Sequence, residues 1–362
     1  MKFVHMADMH FDAPFATLAK KENKAIERRI EQRKVMREIV EYIKENSIPY
    51  FFIAGDLYEN QYIRLSTIEF INNLFKEIPK TKVLITPGNH DPYIKNSYYK
   101  QFKWNDNVII FSNEIQKINY GNVEIYGYGF NDFYMKTKQD ELNIEDNSKI
   151  NILITHGSLD NIGDENKEYN PLNSKILNKI GFDYVALGHI HKISYCDYDK
   201  QKIVYPGSPV SLGFDELGKR GFIVGEIEEN TKKLELKFVE TTAKTFEELN
   251  LDISLINSEE ELIEKIINLN LDENKYYKIK LIGKRNFELI EKNILELTNR
   301  DNILKIKNLT QEKYNIKEIA KELSLKGIFA NEILEKINIT EDINEKKDLL
   351  KAFEIGMDAF YK

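Results

Sequence analysis

Cysteine is all but missing. Cys196 is the only one in 362 residues, so no intrachain disulfide and no cysteine-based metal cluster can be built, which fits a reducing compartment. Long apolar runs are missing as well: no stretch approaches the roughly 18 apolar residues of a membrane span, which excludes a membrane-spanning helix and a membrane partner. The opening Met1-Lys2-Phe3-Val4-His5-Met6-Ala7-Asp8 reads as a strand, without the apolar core or small-residue cleavage site of a signal peptide, so the expected location is the cytoplasm. Positive charge is not in excess. Lys and Arg number 52 against 59 Asp and Glu, a net charge of −7, so any nucleic-acid-binding surface must be local.

What is present is a globular composition, with 42% hydrophobic and 31% charged residues over a length that predicts two or three domains. Short apolar runs read as strands at Lys2–Ala7, Tyr50–Ala54, Lys82–Thr86, Val108–Phe111, Val123–Tyr128, Ile150–Thr155, Tyr184–Leu187 and Ile203–Tyr205. Ala25–Glu45 and Ser66–Ile78 carry apolar residues at three- and four-residue steps and read as helices. The later strands follow one another closely, as antiparallel hairpins would, and the whole pattern is an α/β sandwich. Near Thr241-Thr242-Ala243-Lys244 the composition shifts to Asn, Leu, Ile, Lys and Glu, so the expected domains are 1–240, a smaller α/β domain at 241–312 and a helical tail at 313–362. Ser258-Glu259-Glu260-Glu261 opens a helix by a capping box, between strands at Leu251–Leu255 and Tyr276–Ile282, and a further helix and strand follow at Phe287–Thr298 and Ile303–Lys307. The tail has two readings: it packs on its own domain, or it docks on a partner chain.

Five of the six histidines stand in short polar clusters: Asp8-Met9-His10, Gly88-Asn89-His90-Asp91, Thr155-His156-Gly157 and Gly188-His189-Ile190-His191, joined by Gly55-Asp56. Each cluster follows a predicted strand, and in α/β folds the loops at the carboxyl ends of strands converge on ligands. Asp8 with His10, and His189 with His191, are two residues apart, a spacing that turns alternate side chains of extended backbone to one side. The donors Asp8, His10, Asp56, Asn89, His156, His189 and His191 are too many for one tetrahedral zinc. They suit two divalent metals about 3.5–4 Å apart that share a carboxylate, with Mn²⁺ favoured by mixed oxygen and imidazole donors and Fe or Zn as alternatives. His5 has no such role and reads as a hydrogen-bonded strand histidine.

This ordered set resembles the calcineurin-like metallophosphoesterase superfamily over about residues 1–240. Within it, the opening His5-Met6-Ala7-Asp8-Met9-His10, the Gly-His-Ile-His-Lys run ending at Lys192, and Tyr205-Pro206-Gly207-Ser208-Pro209 followed by Gly213-Phe214-Asp215-Glu216 resemble the SbcD and YhaO group of DNA repair exonucleases. The resemblance implies a four-layer metallophosphoesterase α/β sandwich with a capping domain and a helical tail. It implies that Asp8, His10, Asp56 and His191 hold one metal, and Asp56, Asn89, His156 and His189 the other. It casts His90 as the group that contacts the scissile phosphate and protonates the leaving oxygen, for which an imidazole titrating near neutrality is suited. Asp91 either orients His90 or is a local turn carboxylate before Pro92. Many relatives read Gly-Asp-Leu-Phe-Asp where this chain has Gly55-Asp56-Leu57-Tyr58-Glu59, and Asp-x-His-Leu-Gly where it has Asp8-Met9-His10-Phe11-Asp12. The Gly-Asp-x-x-Asp-Arg-Gly run of protein phosphatases is absent, which makes phosphoprotein a poor substrate.

The implied activity is a Mn²⁺-dependent DNA exonuclease and endonuclease acting in repair with an SbcC-like ATPase, as a homodimer. A small nucleotide or other phosphodiester is the alternative substrate, and a non-catalytic scaffold the third reading. Between Lys20 and Arg37 eight basic residues face four acidic ones, so Arg28, Arg29 and Arg33 are either a solvated helix face or phosphate contacts. Lys192 joins them as a candidate DNA contact. Tyr58, with Tyr62, Tyr93, Tyr98 and Tyr99, is placed to stack on a base or sugar, or else belongs to the core or a dimer contact.

Overall fold

The computed structural model describes residues 1–15, 22–161, 168–193 and 202–360; Cys196, Lys20, Lys21 and Tyr361 lie outside the described residues. The elements run β1 (Lys2–Met6), α1 (Glu22–Glu45), β2 (Tyr50–Ala54), α2 (Leu65–Lys76), β3 (Lys82–Thr86), α3 (Tyr98–Gln101), β4 (Val108–Ile110), β5 (Gln116–Tyr120), β6 (Val123–Gly127), β7 (Ile150–His156), α4 (Ser174–Ile180), β8 (Tyr184–Gly188), β9 (Ile203–Val204), β10 (Gly221–Ile227) and β11 (Leu234–Glu240). They are followed by β12 (Thr245–Asp252), α5 (Glu259–Ile267), β13 (Lys275–Ile282), β14 (Lys284–Arg285), α6 (Glu291–Thr298), β15 (Ile303–Asn308), β16 (Gln311–Glu312), α7 (Ile316–Ile319), α8 (Leu325–Ile339) and α9 (Ile343–Phe360). Two compact units result: Met1–Glu247 with Glu273–Tyr276, and Glu248–Asp272 with Tyr277–Lys362.

The first unit is a four-layer α/β sandwich. One sheet has the order β11-β10-β1-β2-β3-β4 and the other β5-β6-β7-β8-β9. Their facing sides bury Phe3, Phe52 and Leu84 against Ile125, Ile152 and Ala186. Buried residues alternate to the outer faces as strand geometry demands, so Val4, Phe51 and Ile53 meet Val35, Ile39 and Ile43 of α1 and Ile68, Ile71 and Phe75 of α2. On the other outer face Tyr126, Leu153 and Val185 pack on Leu177 of α4. All eight strands read from the sequence are present, with ends shifted by a few residues.

The hairpin expectation needs correction. β6, β7, β8 and β9 pair in parallel, and only β5 with β6 and β10 with β11 are antiparallel neighbours joined by short turns. The segment between β7 and β8 contains α4 and makes a crossover, the connection parallel strands require. This aligns carboxyl ends: Met6 lies opposite Ile53, Ala54 opposite Thr86, and His156 opposite Gly188.

In the second unit β12, β13 and β15 form a sheet whose core joins Leu251, Ile279 and Ile306 to Leu262 and Ile266 of α5 and Ile294 of α6. Ser258 Oγ accepts from Glu261 N at 3.2 Å, as the capping box predicts. The strand expected at Leu251–Leu255 instead occupies Thr245–Asp252, and Leu255 is exposed. α8 and α9 pack through Ala330, Ile333, Phe353 and Met357. They leave Leu325, Ile328, Ile339, Ile343 and Ile355 exposed, so the tail has a small core and a bare apolar surface. No helix among the described residues is long and apolar enough to cross a membrane.

Phe52 stacks on Phe3 with ring centroids 5.1 Å apart in the layer between the sheets. Phe52→Ala should cost about 3–5 kcal/mol of stability, measured by thermal or denaturant unfolding.

Candidate metal centre

Strand ends build the site. β1 delivers Asp8 and His10, β2 Asp56, β3 Asn89 and His90, β7 its own last residue His156, and β8 His189 and His191. The chain turns abruptly there. Asp8, His10, Asp56 and His189 have φ of 56°, 49°, 51° and 110°, conformations that cost non-glycine residues on the order of 1–3 kcal/mol each and gather at functional sites. Asp8 and His10 therefore share the site through left-handed turns, not through the alternation of extended backbone that their spacing predicts. Gly55 has φ 86°, and a Cβ on it would run into the His156 ring, so only glycine lets β2 leave its sheet so close to β7.

The seven predicted donors converge. Asp56 lies at their centre: its Oδ1 accepts from His90 N at 2.8 Å, while its Oδ2 lies 3.7 Å from His10 Nε2 and 3.3 Å from His156 Nε2. On one side His10 Nε2 faces His191 Nε2 at 3.0 Å, with an oxygen of buried Asp8 within 4.8 Å of both rings. On the other side Asn89 Oδ1 lies 3.1 Å from His156 Nε2 and 3.3 Å from His189 Nδ1. Asp8 also accepts from His189 N at 3.0 Å, which ties the β1 loop to the β8 loop.

These residues fit a pair of divalent ions by the chemistry of their donors. His10 Nδ1 is held by Glu59 Oε1 at 2.7 Å and His191 Nδ1 by Glu216 Oε1 at 2.6 Å, contacts that place the ring proton on Nδ1 and the lone pair on Nε2. His156 Nδ1 donates to Ala54 O at 2.8 Å, which likewise leaves its Nε2 an acceptor. Lone pairs and carboxylate oxygens thus face one another in two groups joined by Asp56 Oδ2, an arrangement that a cation in each group would satisfy.

The electrostatics follow from this crowding. Burial pushes the Asp8 carboxyl above the usual range, while the imidazoles of His156 and His10 outweigh burial at Asp56 and hold it well below. His90 stands at the rim with its side chain 45% exposed and its Nδ1 3.0 Å from Glu59 Oε2. Burial opposes its charge, but the Glu59 hydrogen bond and the Asp56 carboxylate prevail and raise it to about 9. Burial depresses His5 to about 3; it is held inside by Tyr184 OH at 2.8 Å and takes no part in the site.

Three expectations are corrected. Asp91 does not orient His90: its buried carboxylate accepts from the backbone of Asp56, Leu57 and Gly88 at 3.1, 2.7 and 2.6 Å and from Tyr99 OH at 2.6 Å, so it locks together the loops that carry Asp56 and Asn89. Glu59 is the partner of the His90 ring. Arg28 is fully buried, with its guanidinium on Ser211 O at 2.5 Å, Lys244 O at 3.1 Å and Glu31, and cannot reach a phosphate. Tyr58 is buried against the Tyr99 ring and bonded to Ser97 Oγ at 2.8 Å, so it is core and no stacking platform. Arg29 and Arg33 are half-buried on α1 and Lys192 is exposed beside His191. Sequence reasoning assigned no role to Glu59 or Glu216, although Glu59 lies three residues beyond Asp56.

A family model of the calcineurin-like phosphoesterases matches residues 1–193. The chain belongs to the calcineurin-like phosphoesterase family. It is similar to the uncharacterized metallophosphoesterase YhaO of Bacillus subtilis, 26% identical over 233 residues that make up 61% of this chain and 56% of that protein. It is also similar to the SbcD component of the SbcCD nuclease of Staphylococcus saprophyticus, 25% identical over 273 residues, 66% of this chain and 68% of that one. The match thus spans little more than half the length of the first relative. Among solved structures, a purple acid phosphatase from yellow lupin seeds aligns with a TM-score of 0.41 and 14% identity, over 66% of this chain and 51% of that one. Calcineurin-like phosphoesterases use divalent metals, and the His and Asp groups described above are the candidate sites for them.

Glu216 reaches His191 from a loop pinned by Ser208 Oγ at 2.7 Å and Leu212 N at 3.1 Å, and Arg220 donates to His191 O at 2.6 Å. Glu216→Ala should weaken Mn²⁺ binding about 10–100-fold in calorimetric titration, with partial recovery in Glu216→Gln.

Proposed function

We propose that this phosphoesterase is a two-metal DNA nuclease, exonuclease and endonuclease, that acts in DNA repair with Mn²⁺ as its metal pair and Fe or Zn as the other candidates. The observation that carries the reading is the position of Asp56 Oδ2 between two groups of acceptors, with His90 beside them. Asp8, His10, Asp56 and His191 would hold one ion; Asp56, Asn89, His156 and His189 the other. When bound, such a pair supplies positive charge to the phosphoryl oxygens and a nucleophile at neutral pH. His90 supplies the proton. Raised to about 9 and tied through Nδ1 to Glu59, it carries its charge at neutral pH and presents Nε2–H to the departing oxygen.

DNA as the substrate is supported by the likeness to the SbcCD nuclease component and to the SbcD and YhaO group. In the same reading, residues 1–240 form the nuclease domain, 241–312 cap the site and select the substrate, and 313–362 dock an SbcC-like ATPase, for which the bare residues Leu325, Ile328, Ile339 and Ile343 offer an apolar surface. The segments after Asp56 and Asp91 would pair two copies as a homodimer. A small phosphodiester is the second reading, favoured by the burial of Arg28 and Tyr58, which removes two expected polymer contacts.

Digestion of end-labelled single- and double-stranded DNA with Mn²⁺ tests the proposal. Cleavage should appear, vanish with a chelator, and fall by on the order of 10²–10⁴-fold in His90→Asn. Turnover of an aryl phosphodiester without cleavage of either DNA would favour the second reading.

A further inference from the structure

The acidic residues of α1 are spent on one side. Glu31 pairs with buried Arg28, Glu27 with Lys24 at 2.9 Å, and Glu38 accepts from Thr242 Oγ1 at 2.9 Å. Arg29, Arg33 and Arg37 recur every four residues, which puts them on another face, and Arg33 and Arg37 lie over the Phe70 ring at 5.8 and 5.5 Å. At the amino-terminal half of this face a cavity of about 620 Å³ opens, lined by Arg29, Arg33 and Arg64 with Asp12, Ile26 and Ile30.

The charges in the cavity do not balance. Asp12 is the carboxylate among its lining residues, and it is engaged: it accepts from Arg64 N at 3.1 Å and Thr67 Oγ1 at 2.7 Å and stands 3.6 Å from Arg33. One of three guanidiniums is thereby neutralised, and Arg29 and exposed Arg64 keep their charge toward the opening. The opposite wall is apolar, with Ile26 49% and Ile30 62% exposed, unusual for isoleucines on a solvated helix. Guanidiniums facing an apolar wall suit an anion that carries a nonpolar body, as a phosphate does on a sugar and base. Asp12 is two residues beyond His10, so at 3.8 Å per Cα step the cavity begins within about 7 Å of the metal centre, roughly two nucleotide rises of about 3.4 Å along a strand.

We infer that this cavity is a subsite for a backbone phosphate of the substrate strand, held by Arg29 and Arg64 with its sugar against Ile26 and Ile30. The inference rests on the reading of DNA as substrate. A polymer uses the subsite and a small phosphodiester does not reach it.

Binding of a labelled single-stranded oligonucleotide, measured by fluorescence anisotropy over a salt series in chelator, tests it on the full chain. Arg29→Gln with Arg64→Gln should bind about tenfold more weakly at about 0.1 M salt and lower the slope of log Kd against log salt by about 1.4, roughly 0.7 per lost phosphate contact. Lys44→Gln, at the far end of α1, should change neither, and melting temperatures show whether the variants are folded. If the double variant is not, Arg64→Gln alone serves, since that side chain is exposed. A double variant that binds like Lys44→Gln, from a wild type that binds and cleaves DNA, overturns the subsite and leaves the nuclease reading standing. Displacement of the oligonucleotide by millimolar inorganic phosphate also overturns it, in favour of a free anion. A wild type that ignores oligonucleotides yet hydrolyses an aryl phosphodiester overturns the nuclease reading, and the subsite with it.

Discussion

A buried carboxylate among imidazoles is the constraint on which the rest of this molecule turns. Asp56 is 1% exposed, and taking a charge so far from water is costly unless opposite charge and hydrogen bonds surround it. One oxygen is satisfied by the His90 amide; the other looks toward His10 and His156, which come from different sheets. The two sheets must therefore bring their strand ends into register across the sandwich, and the parallel pairings of β1 with β2, β2 with β3 and β7 with β8 do this. Gly55 permits the approach, and Asp91 clamps the loops after β2 and β3 from beneath with four accepted hydrogen bonds. Much of what looks like loop irregularity is the scaffolding of one carboxylate.

The donors were readable from sequence because each sits in a few polar residues directly after an apolar strand run, a local pattern that does not depend on how the strands pair. Side-chain direction and strand pairing needed the third dimension. Arg28 and Arg29 are neighbours in a basic segment, yet one residue is a turn of about 100° on a helix, enough to bury the first completely and leave the second at a cavity mouth. Charge counting along the segment cannot separate them, since it does not say which face packs. Glu216 lies 25 residues beyond His191 and meets it only because the loop at Gly207–Glu216 folds back. The parallel order of β6 to β9 was likewise hidden, because short spacing between strands is compatible with a hairpin until the crossover containing α4 is recognised.

Glu59 shows how a departure from a familiar motif can leave the chemistry intact. Where many relatives carry a shorter carboxylate three residues after the central Asp, this chain has a glutamate whose two oxygens divide their work: Oε1 holds His10 Nδ1 at 2.7 Å and Oε2 holds His90 Nδ1 at 3.0 Å. One side chain thereby fixes the tautomer of a metal-facing ring and stabilises the protonated form of the ring beside it. The rings stand edge to face with centroids 4.8 Å apart, so a carboxylate between them must reach both without twisting either. The extra methylene of glutamate supplies that reach. The substitution lies one layer behind the donors, removes none of them, and joins the residue that would bind a metal to the residue that would release the product oxygen in a single hydrogen-bonded unit.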